Sequence, residues 1–323
     1  MDRQTPFELQ QGEVPVVVVH GGCSDGMCAA AVLHSYLFPN VKADADTLRT
    51  FYTSYPGKVI GTVNFLAGRY SSSTKVLFFD VAVNQAEFVA LLTAFPRAEV
   101  HDHHESTKEC KPHPQLILDM TVSGAVLACR YARVGCGQIY LLVQYVQDRD
   151  LWNFTLPSSK EVNRYLHDQL PPRYDSMDKW LCYLKSREWV KEAMEKGSLL
   201  VRSEDRIITD AIKNAAFLNV GPHKVVAINS QTLRSDVGAR ASGMFKEFHY
   251  VMVWYYSGDA NKVYVSLRSD KYNPIAADVN EVAKSLGNGG GHRHAAGCEF
   301  TWEEMGKILA NRAAPPEEPI KFV

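Results

Sequence analysis

"TKVLFFDVAVNQAEFVALLTAFPRAEVHDHH" (residues 74–104) holds two short apolar runs and, between them, a stretch of different period. Val76 to Phe79 run together and end in Asp80, Gln85 to Phe95 space their apolar residues as a helix does, and "AEV" leads straight into His101, Asp102, His103 and His104. Continuous apolar runs of about four to eight residues, separated by helices, suit strands of a parallel sheet that is covered on both faces.

The same alternation extends outward. Upstream, "PVVVVH" (15–20) precedes a helix-like Gly26 to Phe38. Downstream, "QLILD" (115–119) precedes "TVSGAVLACRYA", where Thr121 or Ser123 can cap a helix. "IYLLVQYVQDRDLWNF" (139–154) reads as a helix running into a loop that carries Asp148 and Asp150. The expected class is α/β: an N-terminal, mostly parallel sheet with flanking helices, a helical connector, and a smaller C-terminal α/β domain. The expected boundaries are 1–190, 191–214 for the connector, 215–315, and a disordered Pro-rich tail at 316–323. The second domain announces itself in "KVVAINS" and in "HYVMVWYYSGDANKVYVSLRS", two β-rich runs around a turn. It closes with the glycine-rich loop "GNGGGHRHAAG" (287–297) and a last helix.

With 323 residues, two cores are the default. No stretch has the roughly 18 apolar residues of a membrane span, and the first residues resemble neither a signal nor a transit peptide, so a cytoplasmic location and no membrane partner are expected. Seven cysteines, an odd count without a CxxC pair, fit reduced thiols. Lys plus Arg total 35 against 36 for Asp plus Glu, so no global positive field draws the chain onto long nucleic acid. The basic residues between 160 and 191 read as a solvated helical face.

Each apolar run ends in a residue capable of chemistry, and ligands of open α/β sheets bind beyond the carboxyl ends of the strands. His20, Asp25, Asp80, His103 and Asp148 are therefore candidate ligands of a divalent cation, because carboxylate and imidazole suit Mn²⁺, Mg²⁺ or Zn²⁺. Helix capping by Asp25 and Asp80 is the plainer alternative. "HGGCSDG" allows a tight turn into a helix start that offers free N–H groups to an anion. Gly289, Gly290, Gly291 and His292 can form an anion nest.

Taken in order, these motifs resemble the DHH phosphoesterases, in the branch with a DHH-associated C-terminal domain that includes nanoRNases, adenosine bisphosphate phosphatases and dinucleotide hydrolases. Asp102, His103 and His104 match the name-giving triplet, and "HGGCSDG", "VLFFD", "VQDRDLW" and "GGGHRHAAG" match other motifs between about residues 15 and 300. The resemblance implies one or two divalent ions, Mn²⁺ in first place with Mg²⁺ or another cation as substitute. One ion would be held by His20 and Asp80, the other by Asp25, Asp80, His103 and Asp148. It implies that His104 lies beside the substrate phosphate and that Asp102 orients neighbouring imidazoles. It further implies that Gly289, Gly290, Gly291 and His292 receive a terminal phosphate or sugar, with Arg268 on the same face. His101 is left without a role, as a solvated strand-end residue.

One departure stands out: Cys23 in "CSDG" occupies the first Asp position of the family's DxD motif, and a thiolate suits softer ions. The expected activity is metal-dependent phosphodiester hydrolysis of short oligonucleotides or small nucleotide phosphates to mononucleotides, in the manner of a nanoRNase or exonuclease. The alternatives are a nucleotide or polyphosphate phosphatase and a non-catalytic nucleotide-binding regulator. Oligomeric state, a homodimer included, stays open.

Overall fold

A computed structural model of the protein describes residues 13–134, 140–287 and 289–316. The chain divides into two compact units, Met1–Val201 and Arg202–Val323. The N-terminal unit contains β1 (Val16–His20), α1 (Ser24–Leu37), α2 (Ala45–Leu48), β2 (Phe51–Ser54), α3 (Val59–Ala67), β3 (Val76–Phe79), α4 (Gln85–Ala94), β4 (Glu99–Asp102) and β5 (Leu116–Leu118). These are followed by α5 (Gly124–Tyr131), α6 (Leu141–Asp150), α7 (Ser159–Gln169), α8 (Met177–Lys185) and α9 (Trp189–Lys213), a 25-residue helix that runs on into the second unit and takes in 191–213 of the expected connector.

The sheet has the order β2-β1-β3-β4-β5, and every pair is parallel. Its strands read as continuous apolar runs because both faces are covered. Val17, Val19, Leu77 and Phe79 pack with α1, α5 and α6, while Val16, Val18, Val76 and Phe78 pack with α3 and α4. Asn84 and Glu87 form a capping box that starts α4. Four-residue β2 has the sequence Phe-Tyr-Thr-Ser at the sheet edge, and its half-exposed middle lacks an apolar run.

Beneath this sheet lies a charged network. Lys75 Nζ donates to Glu99 Oε1 at 2.5 Å, both side chains being fully buried, and His101 Nε2 lies 3.0 Å from Glu99 Oε2. His101 is not solvated: it is 4% exposed and stacks on Phe79 with ring centroids 4.4 Å apart. The reason is the strand's two-residue period, which turns Glu99 and His101 to one face of β4 and Val100 and Asp102 to the other.

The C-terminal unit contains β6 (Ala216–Val220), β7 (His223–Asn229), α10 (Arg234–Met244), β8 (Tyr250–Ser257), β9 (Lys262–Arg268), α11 (Val279–Leu286), β10 (Gly290–His292), β11 (Ala295–Phe300) and α12 (Trp302–Ala310). Its six-stranded mixed sheet has the order β10-β11-β9-β8-β7-β6, with only β7 and β8 parallel among these pairs. Residues of α11 and α12 cover one face with Val279, Val282, Ala283 and Met305. Val237 and Ala241 of α10, with Phe245 directly after it, cover part of the other. The expected loop at 287–297 is an edge hairpin instead, since Gly290–His292 pair antiparallel with Ala295–Gly297 across a two-residue turn. Gly291 permits this with a φ of 150°, and a Cβ there would stand 2.5 Å from the Ala295 carbonyl oxygen. Most of the expected tail, residues 317–323, and the first 12 residues lie outside the described residues. No described helix is long and apolar enough to cross a membrane.

Removing one partner from a buried ion pair strands the other charge, at a cost of about 3 kcal/mol or more. Lys75→Met should therefore lower stability by about that amount in urea unfolding, and adding Glu99→Gln should recover at least half of the loss. Additive losses in the double variant would show that the two charges do not depend on each other.

Candidate metal centre

Parallel strands end on one edge, so β1, β3 and β4 deliver His20, Asp80, His103 and His104 to the same side of the sheet. In this strand order the chain changes direction between β1 and β3, where a ligand crevice forms. Asp80 follows β3 immediately and has a left-handed φ of 62°, a conformation uncommon for any residue but glycine that gathers at functional sites. Its backbone N–H is held by the His101 carbonyl at 3.0 Å.

The side chain of Asp80 is buried, with Oδ1 accepting from His103 Nε2 at 3.0 Å. Its Oδ2 has no hydrogen-bond partner among the described residues, and His20 Nδ1 stands 3.6 Å from it. Burial pushes this carboxyl up, but the imidazoles of His103 and His20 outweigh it and hold Asp80 well below the usual range. Asp25, in the first turn of α1, is also buried and caps α5 from a distance. Its Oδ2 accepts from the Gly124 N–H at 2.6 Å and its Oδ1 from the Ala125 N–H at 3.1 Å. Neither Thr121 nor Ser123 supplies that cap: Thr121 bonds Asp119, and the Ser123 side chain makes no capping bond. Gly124 is required there, because a Cβ would lie 2.5 Å from Asp80 Cβ and 2.9 Å from Asp25 Oδ2.

Asp25, Asp80 and His103 each offer a donor atom within 4.8 Å of one another, and so do His20, Asp80 and His104. Asp80 belongs to both groups. Asp102 is fully buried behind them, with Oδ1 2.7 Å from His104 Nδ1 and Oδ2 accepting from Thr107 Oγ1 at 2.5 Å. Thr107 in turn accepts from the Val83 N–H, so the carboxylate orienting His104 is itself anchored.

Asp148 is not brought to this cluster. It lies in the last turn of α6, where Oδ1 accepts from the N–H and hydroxyl of Thr155 at 3.0 and 2.8 Å, and Oδ2 from the Leu156 N–H at 3.1 Å. Left-handed residues Trp152 and Phe154 fold the following loop back around it. Asp150 faces the cluster, its Oδ2 3.5 Å from His103 Nε2. Residues two apart on a helix point in nearly opposite directions, so only one of the pair can do so. The expectation placed both in a loop, and the helical phase of "VQDRD" is the signal that separates them.

Crowded carboxylates leave a charge deficit. Burial and then Asp80 and Asp150 push the Asp25 carboxyl well up. Asp150 keeps 24% of its side chain exposed, yet loss of water and the charge of Asp80 push it up to about 6 against the pull of His103. Burial lowers both histidines but is overcome. Asp80, Asp150 and Asp25 raise His103 to about 10, and Asp102 above all raises His104 to about 9. Half-buried Cys23 sits in the same field, its thiol pushed well up by burial and by Asp80, Asp150 and Asp25, which keeps it neutral. An open carboxylate oxygen, mutually repelling acids and an oxygen-plus-imidazole donor set fit a hard or borderline divalent cation.

In the C-terminal unit, Gly290 to His292 lie on β10, and Gly291 donates its N–H to Asn280 Oδ1 at 3.1 Å. Strand register sets His292 opposite Ala295 and Ala295 opposite Arg268, so His292 and Arg268 share one row. Gly289 directly precedes β10, and a Cβ there would lie 2.6 Å from the Gly297 carbonyl oxygen.

Residues 223–312 match the family model of the DHHA1 domain, which the C-terminal unit therefore carries. The chain is 25% identical over 302 residues to an uncharacterized protein of Acanthamoeba polyphaga mimivirus, covering 91% of this chain and 69% of that protein. The DHH domain of a protein from a family of ribosomal proteins has the same fold, with a TM-score of 0.56 at 14% identity, over 93% of this chain and 85% of that one. A pGpG-specific phosphodiesterase from Vibrio cholerae aligns with a TM-score of 0.47 at 14% identity, over 90% of this chain and 95% of that one. Residues 223–312 thus match the DHHA1 domain, and the chain shares the fold of that DHH domain over most of its length.

In protein freed of divalent cations, the raised folded pKa of His104, about 9 against roughly 6.5 unfolded, gives stability that is complete below the lower value. That stability is lost as pH rises through the higher one. Asp150, at about 6 against roughly 3.9 unfolded, subtracts stability across its own window in the same direction. The unfolding temperature of chelator-treated protein should fall between about pH 6.5 and 9, and Asp102→Asn should flatten the fall. A temperature that rises over this window would contradict the charge assignment.

Proposed function

We propose that the protein is a metal-dependent phosphodiesterase that hydrolyses short oligonucleotides or small nucleotide phosphates to mononucleotides. The observation that carries this reading is the meeting of Asp25, Asp80 and His103 donor atoms within 4.8 Å at the carboxyl ends of parallel strands. The DHHA1 domain supports it, as does a chain charge too balanced to hold long nucleic acid.

Asp25, Asp80, His103, His20 and Asp150 are the residues to hold one or two cations, Mn²⁺ in first place. When bound, such cations offset charge on phosphoryl oxygens and acidify water for attack. Asp25 and Asp80 are fixed before any ligand arrives, the first by the α5 N-terminus and the second by its left-handed turn. Asp102 holds the His104 ring through Nδ1, an orientation that suits donation to a phosphate oxygen. Without a cation, Asp102 above all raises His104 to about 9. Asp148 serves the loop after α6 rather than the cations. Cys23, as a neutral thiol, adds no charge to the site, whereas Asp150 brings a carboxylate to it.

Purified protein with Mn²⁺ should cleave a 5′-phosphorylated dinucleotide, and Asp80→Ala should abolish cleavage. Asp150→Asn should slow it on the order of 100-fold, whereas Asp148→Asn should leave the rate within a few fold and lower the unfolding temperature. Equal turnover by Asp80→Ala overturns the reading. Tight nucleotide binding with no bound metal under any condition would instead identify a nucleotide-binding regulator, the reading that rests on Cys23.

A further inference from the structure

On the face of the C-terminal sheet that α10 packs against, residues of β9 stay partly exposed. Along β9, Val263, Val265 and Leu267 turn into the core beneath α11 and α12, while Tyr264, Ser266 and Arg268 turn the other way and stay half-exposed. Register places neighbours in rows on that second face. Tyr264 lies between Tyr255 of β8 and Glu299 of β11, Ser266 between Val253 and Gly297, and Arg268 between Val251 and Ala295. Gly290 and His292 of β10 extend the last two rows.

The first row is an aromatic stack. Tyr255 and Tyr264 are parallel within 25°, with centroids 5.5 Å apart. Arg234, the first residue of α10, lays its guanidinium 4.6 Å from the Tyr255 centroid, and its Nη1 is steadied by the Gln231 carbonyl at 2.8 Å. The order is thus guanidinium, ring, ring, a pre-assembled pile whose last member is Tyr264. Next to it, Gly290 and Gly297 leave a floor without side chains. One acid lies on this face beside Tyr264, Glu299, and Lys262 pairs with it. Arg268, two rows away, bonds Ser235 Oγ through Nη2 at 2.8 Å.

We infer that Tyr264, backed by Tyr255 and Arg234, is a stacking surface for the base of a nucleotide whose phosphate lies toward Arg268 and His292. The inference rests on the nucleotide reading above and adds where the base goes. A ring with a glycine floor in the next row suits a flat heterocycle, and a stack contacts every base through its π-face without reading its edge. The guanidinium behind Tyr255 holds the pile together by cation–π attraction. Charge favours a phosphate on the same face, since Arg268 and His292 share its far row and Glu299 is neutralised by Lys262. Tyr264 and Arg268 are four residues apart on one strand, roughly 13 Å, which an extended nucleotide and a long arginine side chain can span.

The test uses the full chain, titrated calorimetrically with AMP and, separately, with ribose 5-phosphate, which has the phosphate and sugar without the base. Wild type should bind AMP about tenfold more tightly than ribose 5-phosphate, the scale of one base–aromatic stack. Tyr264→Ala should erase that difference while leaving ribose 5-phosphate affinity unchanged, and Tyr264→Phe should keep it. GMP and CMP should show the same sensitivity to Tyr264→Ala. Equal affinity for the two probes in wild type overturns the proposal, as does an undiminished preference for AMP in Tyr264→Ala. So does a loss in that variant shared by both probes with Tyr264→Phe failing to restore it. Failure of hydrolysis is read separately: a preference for AMP that survives without any dinucleotide turnover sinks the phosphodiesterase reading and leaves the stacking surface standing.

Discussion

Three carboxylates around one imidazole set the terms for the N-terminal unit. Asp80, Asp25 and Asp150 lie 3.0, 4.0 and 3.5 Å from His103 Nε2, and acids this close raise one another's pKa unless positive charge intervenes. The protein supplies part of that charge through protonated His103 and His104 and part through the N-terminus of α5, whose first N–H groups face Asp25. The remaining acid charge is of the sign that a cation would offset. Gly124 shows how tightly the arrangement is drawn, since even a methyl group in its place would strike both Asp80 and Asp25.

Much of this architecture was legible because the strands are buried on both faces. "PVVVVH", "TKVLFFD" and "AEVH" correspond to β1, β3 and β4, and parallel strands necessarily bring their last residues to one edge. β2 was silent: as a four-residue edge strand it needs no apolar run. The C-terminal hairpin of β8 and β9 was legible from its two β-rich runs, whereas β10 was not, because a glycine run reads as a loop whether or not it pairs.

At the site, the residues that could not be placed from sequence are those whose position depends on phase. His101 to His104 look alike as a string, but strand alternation sends His101 down onto Glu99 and Phe79 and Asp102 across to Thr107, and only beyond the strand end do His103 and His104 reach the edge. Asp148 and Asp150 pose the same problem on a helix, where a two-residue step reverses direction. Asp25 had two readings, cap or ligand, and the structure shows why neither excludes the other. It caps α5, not its own helix, and does so with a carboxylate that still lies 4.0 Å from His103.

Cys23 gains its meaning from that same charge balance. A carboxylate at its position would be a fourth acid among Asp25, Asp80 and Asp150, and would raise the pKa of each further. A thiol kept neutral by burial and by those acids adds a polarizable atom without adding charge. The cluster is therefore less dependent on a full complement of cations than a four-acid version would be, and the two groups that share Asp80 are unequal. The one with Asp25 and His103 is fully buried and anchored to α5, while the one with His20 and His104 is half-open, with His104 bonded to Asp102.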